Sequence, residues 1–348
     1  MVGRPSDDVS EAKVEAQMSS RSSMEMSVPT WEDIQEAHQR IAPRIHRTPV
    51  LRSATIDALC AAQIFFKCEN LQKTGSFKIR GATNAIFSLP EKEAERGIIT
   101  QSSGNHGAAI ACAAAWRGVP AWIVMPKNAP LVKCQAVEAY GGKITFCEPR
   151  ISARNQTAAR VQAETGAVLI HPYDDDRIIA GQATAAKELL EEVGTLDAVL
   201  APVSGGGLLG GTSLSAKHLQ PEIRVYGCEP AKADDAYRSL QTGTIQSIDS
   251  SDTIADGLRA SLAPRTFAIL QKNLSAIFLV TEEEIVGAML LIWQRLKVIT
   301  EPSSAIALAP LLKPDVIETI ARGGASRTRP RIGIILSGGN VDLRTLPF

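Results

Sequence analysis

The stretch Pro202-Val203-Ser204-Gly205-Gly206-Gly207-Leu208-Leu209-Gly210-Gly211 decides how the chain is read. An apolar run, Ala198–Pro202, leads into it, and a helical pattern of small residues follows. Glycines let the backbone curl until successive N–H groups point inward, and a helix N-terminus adds partial positive charge. Together they form a cup for one small phosphate. The stretch lacks the Gly-Lys-Ser/Thr ending of a nucleotide loop. It is not a GxGxxG turn with an acid about 20 residues on either. Taken alone, the same residues also fit a flexible turn.

On both sides of this stretch, short β-branched or aromatic runs alternate with helical patterns. Strands are expected over 64–67, 97–100, 121–125, 143–146, 167–170, 198–202, 224–227 and 331–336. Helices are expected over 31–41, 105–117, 131–140, 152–164, 178–193 and 282–296. The first begins at Thr30, an N-cap candidate with Asp33 three residues on, and places Ile34, Ala37 and Ile41 on one stripe. Such alternation predicts parallel sheets covered on both faces, an α/β architecture. No repeat of solenoid period is evident.

In open α/β sheets ligands sit at the carboxyl ends of the strands. Three loops rich in Gly, Ser and Asn fall there: Ser102–Gly107, Ser204–Gly207 and Ser337–Asn340. That placement suggests one cofactor held from several sides. In Ser102-Ser103-Gly104-Asn105-His106-Gly107, Asn105 can donate its amide to a phenolate oxygen, and the serines and local N–H groups suit a carboxylate. The alternative is an ordinary helix cap, with His106 structural. Ser337, at a strand end, can hydrogen-bond a ring nitrogen; the alternative is a Ser-Gly-Gly turn. Lys78 opens an amphipathic helix between Phe77 and Ile79, where desolvation can leave a nucleophilic amine. Alone, it equally suits a solvated face.

Composition sets the outer limits. The 348 residues hold 37 Lys+Arg and 37 Asp+Glu, with 45% hydrophobic and 21% charged residues. Zero net charge gives no field to gather phosphates, so no nucleic-acid partner is expected. No run approaches the roughly 20 apolar residues of a membrane span. Six cysteines at irregular spacing, none in a CxxC pair, read as buried thiols in a reducing compartment and point to the cytoplasm. Residues 1–28 are polar, Ser- and Met-rich and carry acids, and are expected to be a disordered leader, with organellar targeting left open.

Four segments occur in order: Ser76-Phe77-Lys78-Ile79-Arg80-Gly81-Ala82, Ser102-Ser103-Gly104-Asn105-His106-Gly107, Ser204-Gly205-Gly206-Gly207 and Ser337-Gly338-Gly339-Asn340. With this set, the chain from about Trp31 to Leu343 resembles the serine racemase and serine/threonine dehydratase family. These are pyridoxal 5'-phosphate enzymes of the tryptophan synthase β-like fold (fold type II), with two open, twisted, mostly parallel sheets flanked by helices. The resemblance implies a large cofactor-binding domain from residues 29–91 and 176–348, and a small mobile domain from 92–175.

By the same resemblance, Lys78 is the Schiff-base lysine and Phe77 lies against the ring. Gly205, Gly206, Gly207 and Leu208 offer N–H groups to the phosphate. Ser204 stands where many relatives have another Gly. Asn105 meets the ring hydroxyl oxygen and Ser337 the ring nitrogen. Lys78 and Ser103 form an acid/base pair on opposite faces of the substrate. Ser102, Ser103, Asn105, His106, Arg154, Asp256 and Gly257 are the implied substrate contacts.

The implied activity is interconversion of L- and D-serine with accompanying dehydration to pyruvate and ammonia. Alternatives are a threonine/serine dehydratase or threo-3-hydroxyaspartate ammonia-lyase with minor racemisation, or a non-enzymatic cofactor carrier. The intact Lys78, Ser103 and Ser337 set argues against the last. Glu229, the Ala233 carbonyl and Asp235 are the implied Mg²⁺ ligands (or Ca²⁺ or Mn²⁺), hard oxygens suited to such ions. Asp174-Asp175-Asp176 is a rival that reads better as a charged loop. Lys73, Thr74, Tyr140, Lys297 and Asn340 match an ATP effector site, although Ala108 departs from the Gln of the animal enzymes. A homodimer acting on a small amino acid is expected.

Overall fold

The computed structural model describes residues 27–102, 104–247, 252–322 and 329–346. Among these, ten strands build two sheets. The larger runs β1 (Val50–Leu51), β2 (Gln63–Cys68), β10 (Arg331–Leu336), β7 (Ala198–Pro202), β8 (Arg224–Pro230), β9 (Ala276–Val280) in spatial order. All its neighbours are parallel except β1 and β2. The smaller is wholly parallel, in the order β5 (Lys143–Cys147), β4 (Ala121–Pro126), β3 (Ile98–Gln101), β6 (Val168–Leu169).

The period of two assigns side chains to two cores. Ile64 and Phe66 on β2, Ala198 and Leu200 on β7, and Ile332 and Ile334 on β10 share one cluster. Their alternates Phe65, Val199, Ala201 and Ile335 belong to a second. Both faces are therefore dry, which explains strands that read as unbroken apolar runs.

Two strands were not anticipated. β1 has two residues, too short for a pattern. β9 is an apolar run of five, and runs of that length do not distinguish strand from buried helix. The strand expected over 167–170 shrinks to Val168–Leu169, and β8 extends to Pro230, bringing Glu229 onto the strand. The helix at Trp31–Ile41 has its capping box, with the Asp33 N–H donating to Thr30 Oγ1 and the Thr30 N–H to Asp33 Oδ2. The leader expected over 1–28 lies outside the described residues except for Ser27 and Val28. Ser27 bonds Asp176, and its carbonyl accepts from Arg265.

The helix Asp176–Val193 is the centre of the molecule. It is buried without a break from Ile178 to Leu190. On one side it meets the Lys78–Phe87 helix, where a Cβ on Gly181 would lie 2.6 Å from Gly81 Cα. On another it meets the Gly207–Leu219 helix, where a Cβ on Gly211 would lie 2.7 Å from the Ile179 carbonyl oxygen. Glycine at these crossings lets backbones touch. The lysine helix and the glycine-loop helix are thereby clamped to one support.

A buried ion network pins the same region. Arg80 is fully buried and bonds Glu69 through Nε and Nη2, and Glu188 through Nη1 and Nη2. Lys67, also fully buried, lies 2.6 Å from Glu188 and donates to the Thr48 carbonyl. Burial opposes the Glu188 charge, but Arg80 and Lys67 outweigh it and hold the carboxyl down at about 2. Two cations and two anions close the network with no net charge.

Candidate active site

Lys78 stands at the first turn of its helix, at the carboxyl end of the larger sheet. The Phe77 N–H donates to the Ser337 carbonyl at 3.0 Å, and Ser76 forms a β-bridge with Gly338. The turn after β10 and the start of the lysine helix are thus one backbone unit, and Ser337, buried, lies beside Lys78 for that reason. Lys78 Nζ donates to the Pro172 carbonyl at 3.1 Å and sits 5.1 Å from the Phe77 ring centroid. Burial alone lowers its pKa to about 8, so a neutral amine is available near physiological pH.

Two histidines face this amine, and both are held neutral by burial first, with the Lys78 charge adding to the effect. His171 Nδ1 accepts from the Asp174 N–H at 2.9 Å, leaving its proton on Nε2. His106 is buried, and neither ring nitrogen finds a hydrogen bond of normal geometry.

The turn between β7 and the Gly207–Leu219 helix has the form of a phosphate cup. Gly206 has φ +87°, open to glycine at little cost. A Cβ on Gly205 would fall 2.4 Å from the Tyr173 ring, and one on Gly207 3.0 Å from Tyr173 Cβ. Tyr173 packs edge-on against His171, so the segment 171–173 joins the lysine to the glycine turn. Ser204 exchanges two bonds with Ala260: its hydroxyl donates to the carbonyl at 3.1 Å and accepts from the N–H at 3.0 Å.

A third group closes the site. Asn105 opens its helix beneath Gly104 and donates through Nδ2 to Glu301 Oε1 at 2.8 Å. Its Oδ1 accepts from Asn340 Nδ2 at 2.9 Å. Lys133 Nζ is 2.5 Å from Asp256 Oδ2 and 4.0 Å from Glu301 Oε2, and its stem lies against Gly104. Burial opposes the Lys133 charge, but Glu301 and Asp256 outweigh it. Glu301 is pushed by burial up to about 7.

A primary amine with lowered basicity and a glycine cup at a helix N-terminus, both at the carboxyl end of the larger sheet, meet an amide donor from the turn after β3 of the smaller one. That set suits a phosphorylated aldehyde cofactor. Comparison with known proteins agrees. Residues 41–338 match the family model described as "Pyridoxal-phosphate dependent enzyme". A beta-hydroxyaspartate dehydratase from Paracoccus denitrificans (strain Pd 1222) is 49% identical over 93% of this chain and 100% of its own. A serine racemase from Dictyostelium discoideum is 48% identical over 92% and 98%. The structure of maize serine racemase matches with TM-score 0.86 and 46% identity, covering 91% of this chain and 95% of that one.

The chain belongs to the pyridoxal-phosphate dependent enzymes. Like the maize structure, it has fold type II.

In this pyridoxal-phosphate dependent enzyme the remaining expected residues fall as follows. Ser102 precedes the turn, its hydroxyl accepting from the Gly104 N–H at 3.2 Å; Ser103 lies outside the described residues. The Gly257 N–H donates to Ser303 Oγ at 2.9 Å, next to the Lys133–Asp256 pair. Arg154, on the Ile151–Thr165 helix, has a buried Nε without a partner. A pocket gathers Lys73, Thr74 and Tyr140 with Cys112 and Trp116. Lys297 does not line it, and Asn340 reaches it only through a bond to the Thr74 carbonyl.

Glu229 and Asp235 are both buried, and burial raises their carboxyls to about 8 and about 6. Glu229 accepts from the Ala236 and Tyr237 N–H groups, while Asp235 Oδ2 has no hydrogen-bond partner. Among the described residues no three His, Cys, Asp or Glu side chains converge, so a cation here needs backbone oxygen or water as well. The rival Asp174-Asp175-Asp176 run is a charged loop: Arg265 pairs with Asp174 and Asp176, and Arg177 with Asp175. Glu301, Lys133, Tyr173 and His171 escaped sequence reading. Each stands outside the glycine-rich loops; Glu301 and Lys133 have partners distant in sequence, and Tyr173 meets Gly205 across the fold.

Proposed function

We propose that this enzyme interconverts L- and D-serine and also dehydrates serine to pyruvate and ammonia. The observation that carries the reading is the Lys78 amine, held at the strand ends with a pKa of about 8 beside the Ser337 and glycine turns. Likeness to racemases over nearly the whole chain supports it. Lys78 carries the cofactor, Phe77 flanks its ring, and the N–H groups of Gly205, Gly206, Gly207 and Leu208 hold its phosphate. Ser204, its hydroxyl occupied by Ala260, contributes through its backbone. Asn105 meets the ring hydroxyl oxygen.

When bound, pyridoxal phosphate withdraws electrons from the substrate's Cα and loosens the bonds to it. The neutral Lys78 amine takes a proton from one face of Cα, and the Ser103 hydroxyl serves the opposite face. Without both acid/base groups a proton could return only to the side it left. Ser337 offers a neutral hydroxyl to the ring nitrogen, which cannot hold a full positive charge there as a carboxylate would. Ser102, the Asn105 turn and His106 surround the substrate carboxylate. Asp256 and Gly257 lie near its hydroxyl, and Arg154 stands at the entrance.

Closure of the small domain, residues 92–175, over the large one, 29–91 with 176–348, excludes water. Glu229, Asp235 and the Ala233 carbonyl hold Mg²⁺ or a similar ion, supported by the unpartnered Asp235 oxygen. ATP acts as an effector at Lys73, Thr74 and Tyr140, with Asn340 and Lys297 nearby. The protein works as a homodimer, and its six free, buried cysteines are in keeping with a cytoplasmic setting.

The second reading is a 3-hydroxyaspartate or threonine lyase with minor racemisation. The dehydratase relative and the Lys133 cation against the substrate turn favour it, with Arg154 at the entrance as a second cation by the same reading. Chiral chromatography of serine, run beside keto-acid release from serine, threonine and 3-hydroxyaspartate, separates the two. Racemisation at a rate comparable to elimination supports the first reading. Fast elimination of hydroxyaspartate with serine left as pure L enantiomer would replace it with the second.

A further inference from the structure

Glu301 poses a physical question. It is buried, and its carboxyl makes one side-chain hydrogen bond, to Asn105. Its other oxygen, Oε2, has no hydrogen-bond partner, and Lys133 stands at 4.0 Å. A buried carboxyl so thinly satisfied costs stability. An apolar residue of similar size would serve folding better, so the acid is there for something other than the core.

The bonds around Asn105 have a fixed polarity. Asn340 uses Nδ2 twice, donating to the Thr74 carbonyl at 2.8 Å and to Asn105 Oδ1 at 2.9 Å. An amide nitrogen has two hydrogens, so this one is fully spent. Asn105 must therefore present oxygen to Asn340 and nitrogen to Glu301 Oε1. Flipping the Asn105 amide would set NH₂ against NH₂ on one side and oxygen against carboxylate on the other. One hydrogen on Asn105 Nδ2 remains uncommitted. Glu301 Oε1 also touches the turn after β10: a Cβ on Gly338 would lie 2.6 Å from it.

We propose that Glu301 is a positioning residue that locks the Asn105 amide, aiming its uncommitted N–H at the cofactor ring, with the Lys133–Asp256 pair holding the carboxyl in place. The inference rests on the reading that the ring lies against Asn105. A proton on Glu301 would go to Oε2, which leaves the lock intact. Removing the Oε1 acceptor breaks it.

The test uses the holoenzyme and three variants: Glu301→Gln, Glu301→Leu and Asn105→Ala. Readouts are the visible absorption band of the bound cofactor and its dissociation constant. E301Q keeps an acceptor and should retain the native band, with affinity within about threefold. E301L should shift the band and weaken cofactor binding at least tenfold, as should N105A. The N105A/E301L double variant should lose little beyond either single change, because both break one unit. A native band and affinity in E301L, or losses that multiply in the double variant, would overturn the assignment. If E301L does not fold, E301Q and N105A decide: a shifted band or an affinity at least tenfold weaker in E301Q, which keeps the Oε1 acceptor, would overturn the assignment. A native spectrum in N105A would remove the ring placement and this inference with it. Borohydride trapping at Lys78 reports separately on cofactor attachment, so failure of the wider reading is recognised on its own.

Discussion

Lys133 Nζ lies 2.5 Å from Asp256 Oδ2, joining a helix that flanks the four-stranded sheet to a loop of the six-stranded part. The stem of the same lysine rests on Gly104, so its charge sits over the Ser102–Asn105 turn. Lys133→Met removes the cation facing both Asp256 and Glu301. A substrate with a second carboxylate should suffer more than serine. We expect the kcat/KM ratio of 3-hydroxyaspartate to serine to fall about tenfold, the factor that roughly 1.4 kcal/mol of lost attraction gives. Equal losses on both substrates would assign Lys133 to shape alone.

Attachment of the cofactor requires an unprotonated amine. With a pKa of about 8, Lys78 is roughly one-tenth neutral at pH 7, whereas an ordinary lysine is neutral in only about one molecule in 2,500. Protonation blocks attack, so capture of pyridoxal phosphate by apoenzyme should quicken about tenfold per pH unit below pH 8 and level off above it. Stopped-flow absorbance would show this. A rate still climbing at pH 10 would mean the amine is not desolvated. Lys78→Ala should yield no borohydride-trapped adduct.

Gly205 and Tyr173 are matched in size. In Gly205→Ala the new methyl meets the tyrosine ring, since the Cβ position is 2.4 Å from three of its carbons. Overpacking of this kind costs about 1–3 kcal/mol, so cofactor affinity should fall on the order of 10- to 100-fold. Adding Tyr173→Leu to that variant should recover part of the loss. Fluorescence titration with pyridoxal phosphate reads both. No recovery would mean that the ring is not what the methyl strikes.

Arg80 has no exposed surface and holds two carboxylates. Arg80→Met leaves Glu69 and Glu188 facing each other with Lys67 as the remaining cation of the network. Breaking a buried pair in this way costs about 3–5 kcal/mol. The melting temperature should drop on the order of 10 °C, as differential scanning calorimetry would detect. A loss below about 1 kcal/mol would show that the carboxyls accept protons at little cost.

The parts legible in the sequence were contiguous. The glycine turn, the lysine between Phe77 and Ile79 and the Ser337 turn each sit within a few neighbouring residues, and strand-helix alternation was enough to place them at strand ends. What escaped is carried by pairing across the fold. Glu301 is 196 positions from Asn105, and Lys133 is 123 from Asp256. In sequence, Glu301 is only an acid before a proline, and Lys133 a lysine on a short helix. Lys67 was counted within a strand, but nothing local shows that it is buried against Glu188 on the central helix. β1 pairs through two residues, too few for a period to register.

At Gly81 and Gly181 main chain presses on main chain. Peptide planes have no rotamers through which to yield, so the height of the reactive nitrogen above the sheet is set by the skeleton and not by its decoration. Residues around the entrance can be exchanged to admit a different amino acid while the nitrogen keeps its aim.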